Sequence, residues 1–310
     1  MEKNTVGLVI QMGFFSVLLP IFGVFGLGFI GMKLLKMEVK SISTMAIYIL
    51  SPFLAFQTFY QNPINIDYLY LSIYLLVLCV ACISICYLIG YFKKWDKQNT
   101  SGFILASSFM NNGNYGTPLV LLVFGQEGFH YAVILMVLQQ LIMCTIGIYV
   151  AAQGSQGERE LSPLKEVIKV PIVYGSLLGM ALNTLHLTIP AQVETVVDMV
   201  AAAAIPIIMI VLGMQLATIS LKKLEVGKLS VALVIRLAIA PLIAYVITLF
   251  MPVDDVVKQI MILMAAMPTA ANTTMYAVQF NAKPDFVSSA TLISTLLSIV
   301  TLPIILAIIL

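Results

Sequence analysis

The sequence predicts an all-α integral membrane protein with ten transmembrane helices, built as two inverted five-helix repeats whose helices 4 and 9 are broken. Three observations predict this. First, apolar residues make up 61% of the 310 positions and charged residues only 10%, with a mean hydropathy of +1.04. A soluble domain carries about 25% charge, and so few charges could not wrap so much apolar surface. A soluble enzyme and a disordered chain are excluded together. Second, apolar windows long enough to cross a bilayer, roughly 20 residues, recur ten times along the chain. Third, each half holds an odd number of them and carries prolines at matching places. Two homologous halves with five spans each must lie inverted in the membrane.

Taken in order, span 1 covers 12–32; it starts too near the N-terminus and runs too long for a cleavable signal peptide. Span 2, 41–60, contains Pro52. Span 3, 68–90, holds Cys79, Cys82 and Cys86 three and four apart. With no histidine beside them they read as small packing residues rather than zinc ligands, so no metal site is expected. Span 4, 101–124, carries a polar break. Span 5, 129–152, contains Cys144 and the amides Gln139 and Gln140. One of these amides must face the interior, to line a site or ion path or to bond between helices, because a lipid-facing amide is costly.

The segment 153–167 separates a first repeat, 1–152, from a second, 168–310. Span 6 is 168–187 and span 7 is 194–217, with Pro206 inside it. Span 8, 229–250, contains Arg236 about two turns from its cytoplasmic end. There it can snorkel or pair, or serve as a cytoplasmic-side attractor for an anion; Pro241 loosens the helix beside it. Span 9, 257–280, has the second break. Span 10, 286–309, presents Ser288, Thr291, Thr295 and Ser298 as one hydroxyl stripe. The stripe can re-satisfy backbone groups freed at the span 9 break, or coordinate an ion.

Loop charges orient the chain. Thirteen of the sixteen cations fall between spans 1 and 2, 3 and 4, 5 and 6, 7 and 8, or 9 and 10, from Lys33 to Lys283; Lys3 and Lys258 lie on the other side. The positive-inside rule then predicts a multi-pass protein of the plasma (inner) membrane with both termini outside the cytoplasm. A net charge of +2 without a basic stripe leaves no footprint for nucleic acid.

The halves match weakly but repeatedly. Pro20, Pro52 and Pro118 correspond to Pro171, Pro206 and Pro268 at offsets of 151, 154 and 150. Span 4 is interrupted by Asn111-Asn112-Gly113-Asn114-Tyr115-Gly116-Thr117-Pro118, and span 9 by Pro268-Thr269-Ala270-Ala271-Asn272-Thr273-Thr274. Unpaired backbone groups in hydrocarbon cost several kcal/mol each, so such breaks survive only where protein or water lines them. Each break makes a new half-helix N-terminus, near Pro118 in one span and near Asn272 in the other, with free N–H groups and partial positive charge. These ends attract a carboxylate, and the asparagines can donate to the same anion. No fixed cation is expected near either break.

The "NNGNYGTPL" break, the "AAMPTAANTTMYA" break and the following "FNAKPDFVSSATLISTLLSIVTLPI" resemble the auxin efflux carrier family, whose bacterial members include malate- and malonate-permease-like proteins. The resemblance covers essentially the whole chain in order. It implies the fold shared with bile-acid symporters and sodium/proton antiporters, with spans 4 and 9 crossing at Pro118 and Pro268. It further implies a scaffold domain of spans 1, 2, 6 and 7 that forms a homodimer, a transport domain of spans 3–5 and 8–10, and elevator-type movement. Asn111 falls where the family places a substrate-contacting asparagine, and Asp67 near an acidic residue of the plant carriers' vestibule. The chain departs from the plant carriers in its short central loop and in Asn272-Thr273, where plant members are more apolar; both departures favour a smaller, more polar carboxylate than auxin.

The expected function is therefore secondary-active transport of small organic anions, mono- or dicarboxylates of malate/malonate or auxin-like type. Asn111, Asn112, Asn114, Gly116, Pro118, Pro268, Thr269, Asn272 and Thr273 form the substrate site, and Asp67, Gln139, Gln140, Thr295 and Arg236 are candidates for an ion or secondary site. No cofactor is expected, and the coupling ion is open between Na+, H+ and none. A cation/proton exchanger on the same architecture is the alternative, but it calls for carboxylates where this crossover has amides and hydroxyls. An intramembrane enzyme would need a zinc motif or paired aspartates at depth, and neither is present.

Overall fold

The computed structural model describes residues 13–155, 170–219 and 225–310. Lys3, the connecting segment from 156 onward with Arg159, Lys165 and Lys169, and Lys222 and Lys223 fall outside these. Lipid offers the backbone no hydrogen bonds, so a spanning chain must satisfy itself within helices. Among the described residues all regular structure is helical, save one isolated antiparallel bridge between Met110 and Thr269.

Helix α1 is Phe14–Leu35. Helix α2, Val39–Met45, runs through a π-turn at Ala46–Leu50 into α3, Ser51–Gln61. Then come α4, Ile66–Phe92, and α5, Lys97–Ser108. A π-turn at Asn112–Gly116 opens α6, Thr117–Ile142, which continues through Met143–Gly147 into α7, Ile148–Gln153. The second half holds α8, Pro171–Thr184; α9, Ala191–Thr218; and α10, Val226–Val234, joined by the π-turn Ile235–Ile239 to α11, Ala240–Thr248. It ends with α12, Asp255–Ala265; α13, Ala271–Gln279; and α14, Pro284–Ile309.

Seven helices among the described residues are long and apolar enough to cross a membrane, and the protein is a multi-pass membrane protein. Three of the ten expected spans do not appear as separate long helices. Spans 4 and 5 share the 42-residue stretch Asn112–Gln153. At 1.5 Å per residue that is about 63 Å, twice a hydrocarbon core of about 30 Å, and its single non-helical residue is Gly125, whose φ of 68° suits glycine. Span 6 is helical over the 14 residues of α8. Span 9 is the pair α12 and α13.

Three π-turns end two residues before a proline: Pro52, Pro118 and Pro241. Proline lacks the N–H and its ring clashes with the carbonyl one turn back, so the helix widens there instead of breaking. Ser51 and Thr117 help, their hydroxyls donating to the carbonyls of Ala46 and Gly113 at 2.8 and 2.6 Å. The expected loosening beside Pro241 is thus a π-turn that contains Arg236 itself.

The chain divides into two compact units. One comprises Met1–Leu69, Gly113–Val137 and Glu166–Thr218; the other comprises Tyr70–Asn112, Leu138–Lys165 and Ile219–Leu310. In the first unit, α1 packs on α9 and α3 on α8 through glycines. An added Cβ at Gly28 would overlap the Ile210 carbonyl, and one at Gly179 the Phe56 carbonyl. These two seams correspond under the offsets that relate their prolines, 151 from Gly28 to Gly179 and 154 from Phe56 to Ile210. Tyr115 is fully buried there, edge-on to Phe22 and Phe25 with centroids at 6.0 and 5.2 Å. In the second unit Phe103, Ile104, Leu105, Phe109, Phe280 and Phe286 belong to one buried core. Residues 100–108 of α5 are all buried, so this polar-rich helix is sheathed in protein rather than lipid.

Candidate functional site

The second unit contains the crossing of the two broken helices. Helix α5 ends at Ser108, and the chain runs extended through Phe109 before helical structure resumes at Asn112. Helix α12 ends at Ala265, and α13 begins at Ala271. The two gaps pair with each other. The Asn111 N–H donates to the Pro268 carbonyl at 2.9 Å, and the Ala270 N–H donates to the Phe109 carbonyl at 3.0 Å. Groups that would be orphaned in an apolar interior thereby satisfy one another. The exchange is reciprocal, matching Asn111 with Ala270 and Phe109 with Pro268, an offset of 159 rather than 150.

This corrects the expected part of one proline. Pro268 lies in its gap, but Pro118 is the second residue of α6, six residues beyond the restart at Asn112. It shapes the π-turn, and the new N-terminus starts at Asn112. The second restart, at Ala271, is one residue before Asn272.

Thr269 stitches the crossing. Its N–H donates to Ser294 Oγ at 3.1 Å and its hydroxyl to the Ala106 carbonyl at 2.6 Å. Ser294 is therefore a span 10 hydroxyl that accepts a backbone N–H freed at the break. Of the expected stripe, Thr291 meets the Thr274 hydroxyl at 3.4 Å, and Ser288, Thr291, Thr295 and Ser298 each donate to a carbonyl of their own helix. Spacings of three and four fit Ser294 as well as Thr295, so the sequence alone does not choose between them.

Arg236 pairs rather than snorkels, and it overturns the expectation that no fixed cation lies near either break. It is fully buried, and it is a fixed cation at the crossing. One guanidinium nitrogen donates to the Ser107 carbonyl at 3.3 Å and the other to the Ala265 carbonyl. These carbonyls belong to the C-terminal ends of α5 and α12, where helix carbonyls lack intrahelical partners and carry partial negative charge. Among the described residues of this unit the carboxylates are Asp96, Glu225, Asp254, Asp255 and Asp285, all exposed. No cluster of His, Cys, Asp and Glu among the described residues could hold a metal ion.

The other expected residues fall as follows. Asn111 and Asn112 are 4% and 1% exposed, and their side-chain N–H groups have no partner. Gln139, 3% exposed, is unpartnered at both ends of its amide. Gln140 donates to Cys144 Sγ at 3.3 Å. Asn272 is half-buried. Thr273 and Thr295 are buried with hydroxyls committed to the carbonyls of Ala270 and Thr291. All of these belong to the second unit; Asp67, Asn114, Gly116 and Pro118 belong to the first. Asp67 there accepts from Asn65 at 3.0 Å and from Tyr131 at 3.3 Å.

A buried guanidinium, two helix N-termini and unsatisfied amide donors, with no carboxylate among them, can hold an anion and would repel a cation. Comparison with known proteins finds membrane transporters. A family model described as "Membrane transport protein" matches residues 14–306. An "Uncharacterized transporter" of Methanothermobacter thermautotrophicus is 27% identical over 86% of this chain and 87% of its own. Another of Methanocaldococcus jannaschii is 24% identical over 95% and 94%. A "Putative malonate transporter" of Rhizobium meliloti is 25% identical over 92% of each.

Proposed function

The chain belongs to the membrane transport protein family, and we propose from this that it is a secondary-active transporter of small organic anions, mono- or dicarboxylates of malate or malonate size, bound at the crossing of the two broken helices. One observation carries the reading: Asn111 and Asn112 hold buried amide donors without partners, next to a crossing whose fixed charge is positive. Leaving such donors unpaired costs about 1–3 kcal/mol each, which a bound carboxylate recovers. The relative named as a malonate transporter supports this substrate class. The matched glycine seams and the reciprocal crossing support two inverted repeats and ten crossings. In the proposed cycle spans 3–5 and 8–10 carry the anion in an elevator-type movement while spans 1, 2, 6 and 7 stay fixed in a homodimer. The protein sits in the plasma membrane with both termini outside the cytoplasm.

A panel of mono- and dicarboxylates in proteoliposomes tests this. Wild type is expected to accumulate one of them in counterflow, and Asn111→Ala or Asn272→Ala to lower uptake about tenfold or more, the loss of a charge-assisted hydrogen bond. Both variants retaining full uptake and binding would refute the site.

A further inference from the structure

We propose that Arg236 is the resident cation of the crossing: its guanidinium holds the place an inorganic coupling cation would take, so that the site needs no Na+, and a variant lacking the side chain accepts guanidinium there instead. The inference rests on bonding and burial. A broken helix frees backbone carbonyls at its C-terminal end, and such carbonyls are the usual oxygen ligands for a Na+ that has left water. Here two carbonyls, one from each broken helix, are already occupied by a single guanidinium.

Among the described residues no carboxylate pairs with this charge. Arg236 is fully buried, and the described carboxylates of its unit are all exposed. A buried cation with no acidic partner is costly, so it persists only because both helix ends lend it their dipoles. The fork of arginine suits this task, since its nitrogens diverge at a fixed angle and reach two carbonyls at once, which a lysine ammonium does less well. Arg236 Nε is left without a partner, so the guanidinium keeps a donor in reserve. The π-turn at Ile235–Ile239 holds the residue on a widened stretch of helix, a geometry that recurs at functional sites. With the positive charge built in, a monocarboxylate would neutralise the site, and no co-bound cation is required.

The inference deepens the anion-carrier reading, but its main test uses no organic substrate, so the two can fail separately. Purified full-length protein would be melted in NaCl, KCl and choline chloride at equal ionic strength. Wild type is expected to melt at the same temperature in all three. Arg236→Ala is expected to melt about 5–10 °C lower, and to regain at least about half of the loss in roughly 20 mM guanidinium, by mass action, while wild type gains nothing. Arg236→Lys, which keeps the charge without the fork, should melt between them and respond little. Selective stabilisation of wild type by Na+ would overturn the proposal whether or not the alanine variant folds. So would an alanine variant that melts like wild type, or one that guanidinium does not rescue. Malonate uptake with Na+ replaced by choline adds an arm that does depend on the substrate reading.

Discussion

Asp96 lies outside the membrane-spanning helices and caps the first turn of α5. Its Oδ1 accepts the Asn99 N–H at 2.7 Å, and that bond holds its carboxyl below the usual carboxylate range. Removing the cap with Asp96→Ala should cost about 1 kcal/mol. A carboxyl depressed in the folded state stabilises it above the unfolded value, and the contribution disappears as pH falls through the folded value. Any melting-temperature advantage of wild type over Asp96→Asn should therefore be full above about pH 4 and shrink below it; an advantage that grew on acidification would contradict this. At this scale the sequence marks both breaks, because Asn111, Asn112, Pro268 and Thr269 are residues lipid does not tolerate. It gives no sign of what Arg236 bonds, because Ser107 and Ala265 lie 129 and 29 positions away. Long-range partners of a single charge leave no local pattern.

Among the elements, glycines and prolines do most of the shaping. Gly213 of α9 faces the Phe25 carbonyl of α1 so closely that a Cβ would overlap backbone. Gly213→Ala should destabilise the protein by about 1–3 kcal/mol, read as a lowered melting temperature, whereas Gly23→Ala, with open space around it, should be close to neutral; equal effects at both positions would refute the seam. The spans are legible from hydropathy because each must be apolar for about 20 residues. The prolines are legible as matched landmarks, yet their consequences differ. Pro268 lies within a gap, while Pro118 widens a helix that has already restarted. Local sterics are the same in both, and the difference comes from the mutual pairing of Phe109–Asn111 with Pro268–Ala270, which propensity alone does not encode.

For the whole molecule, the proposed topology, with both ends of the chain outside the cytoplasm, rests on the thirteen loop cations that the sequence puts on one side. A C-terminal alkaline phosphatase fusion after Leu310 should be active and a fluorescent-protein fusion dark; the opposite result would reverse the topology. The all-helical membrane fold and the position of the two breaks are legible in composition and hydropathy, which act over the full length, whereas the register in which the breaks pair, Phe109–Asn111 with Pro268–Ala270, is not. The reciprocal bonds at the crossing have one more consequence, for biosynthesis. The Phe109 carbonyl and Asn111 N–H leave the ribosome long before Ala270 and Pro268. Until the second half is made, the first waits in the bilayer with those groups unmet, each costing several kcal/mol. The first half thus completes its own hydrogen bonding only once residues 268–270 have been made, and the bridge between Met110 and Thr269 ties the stability of the earlier half to the arrival of the later one.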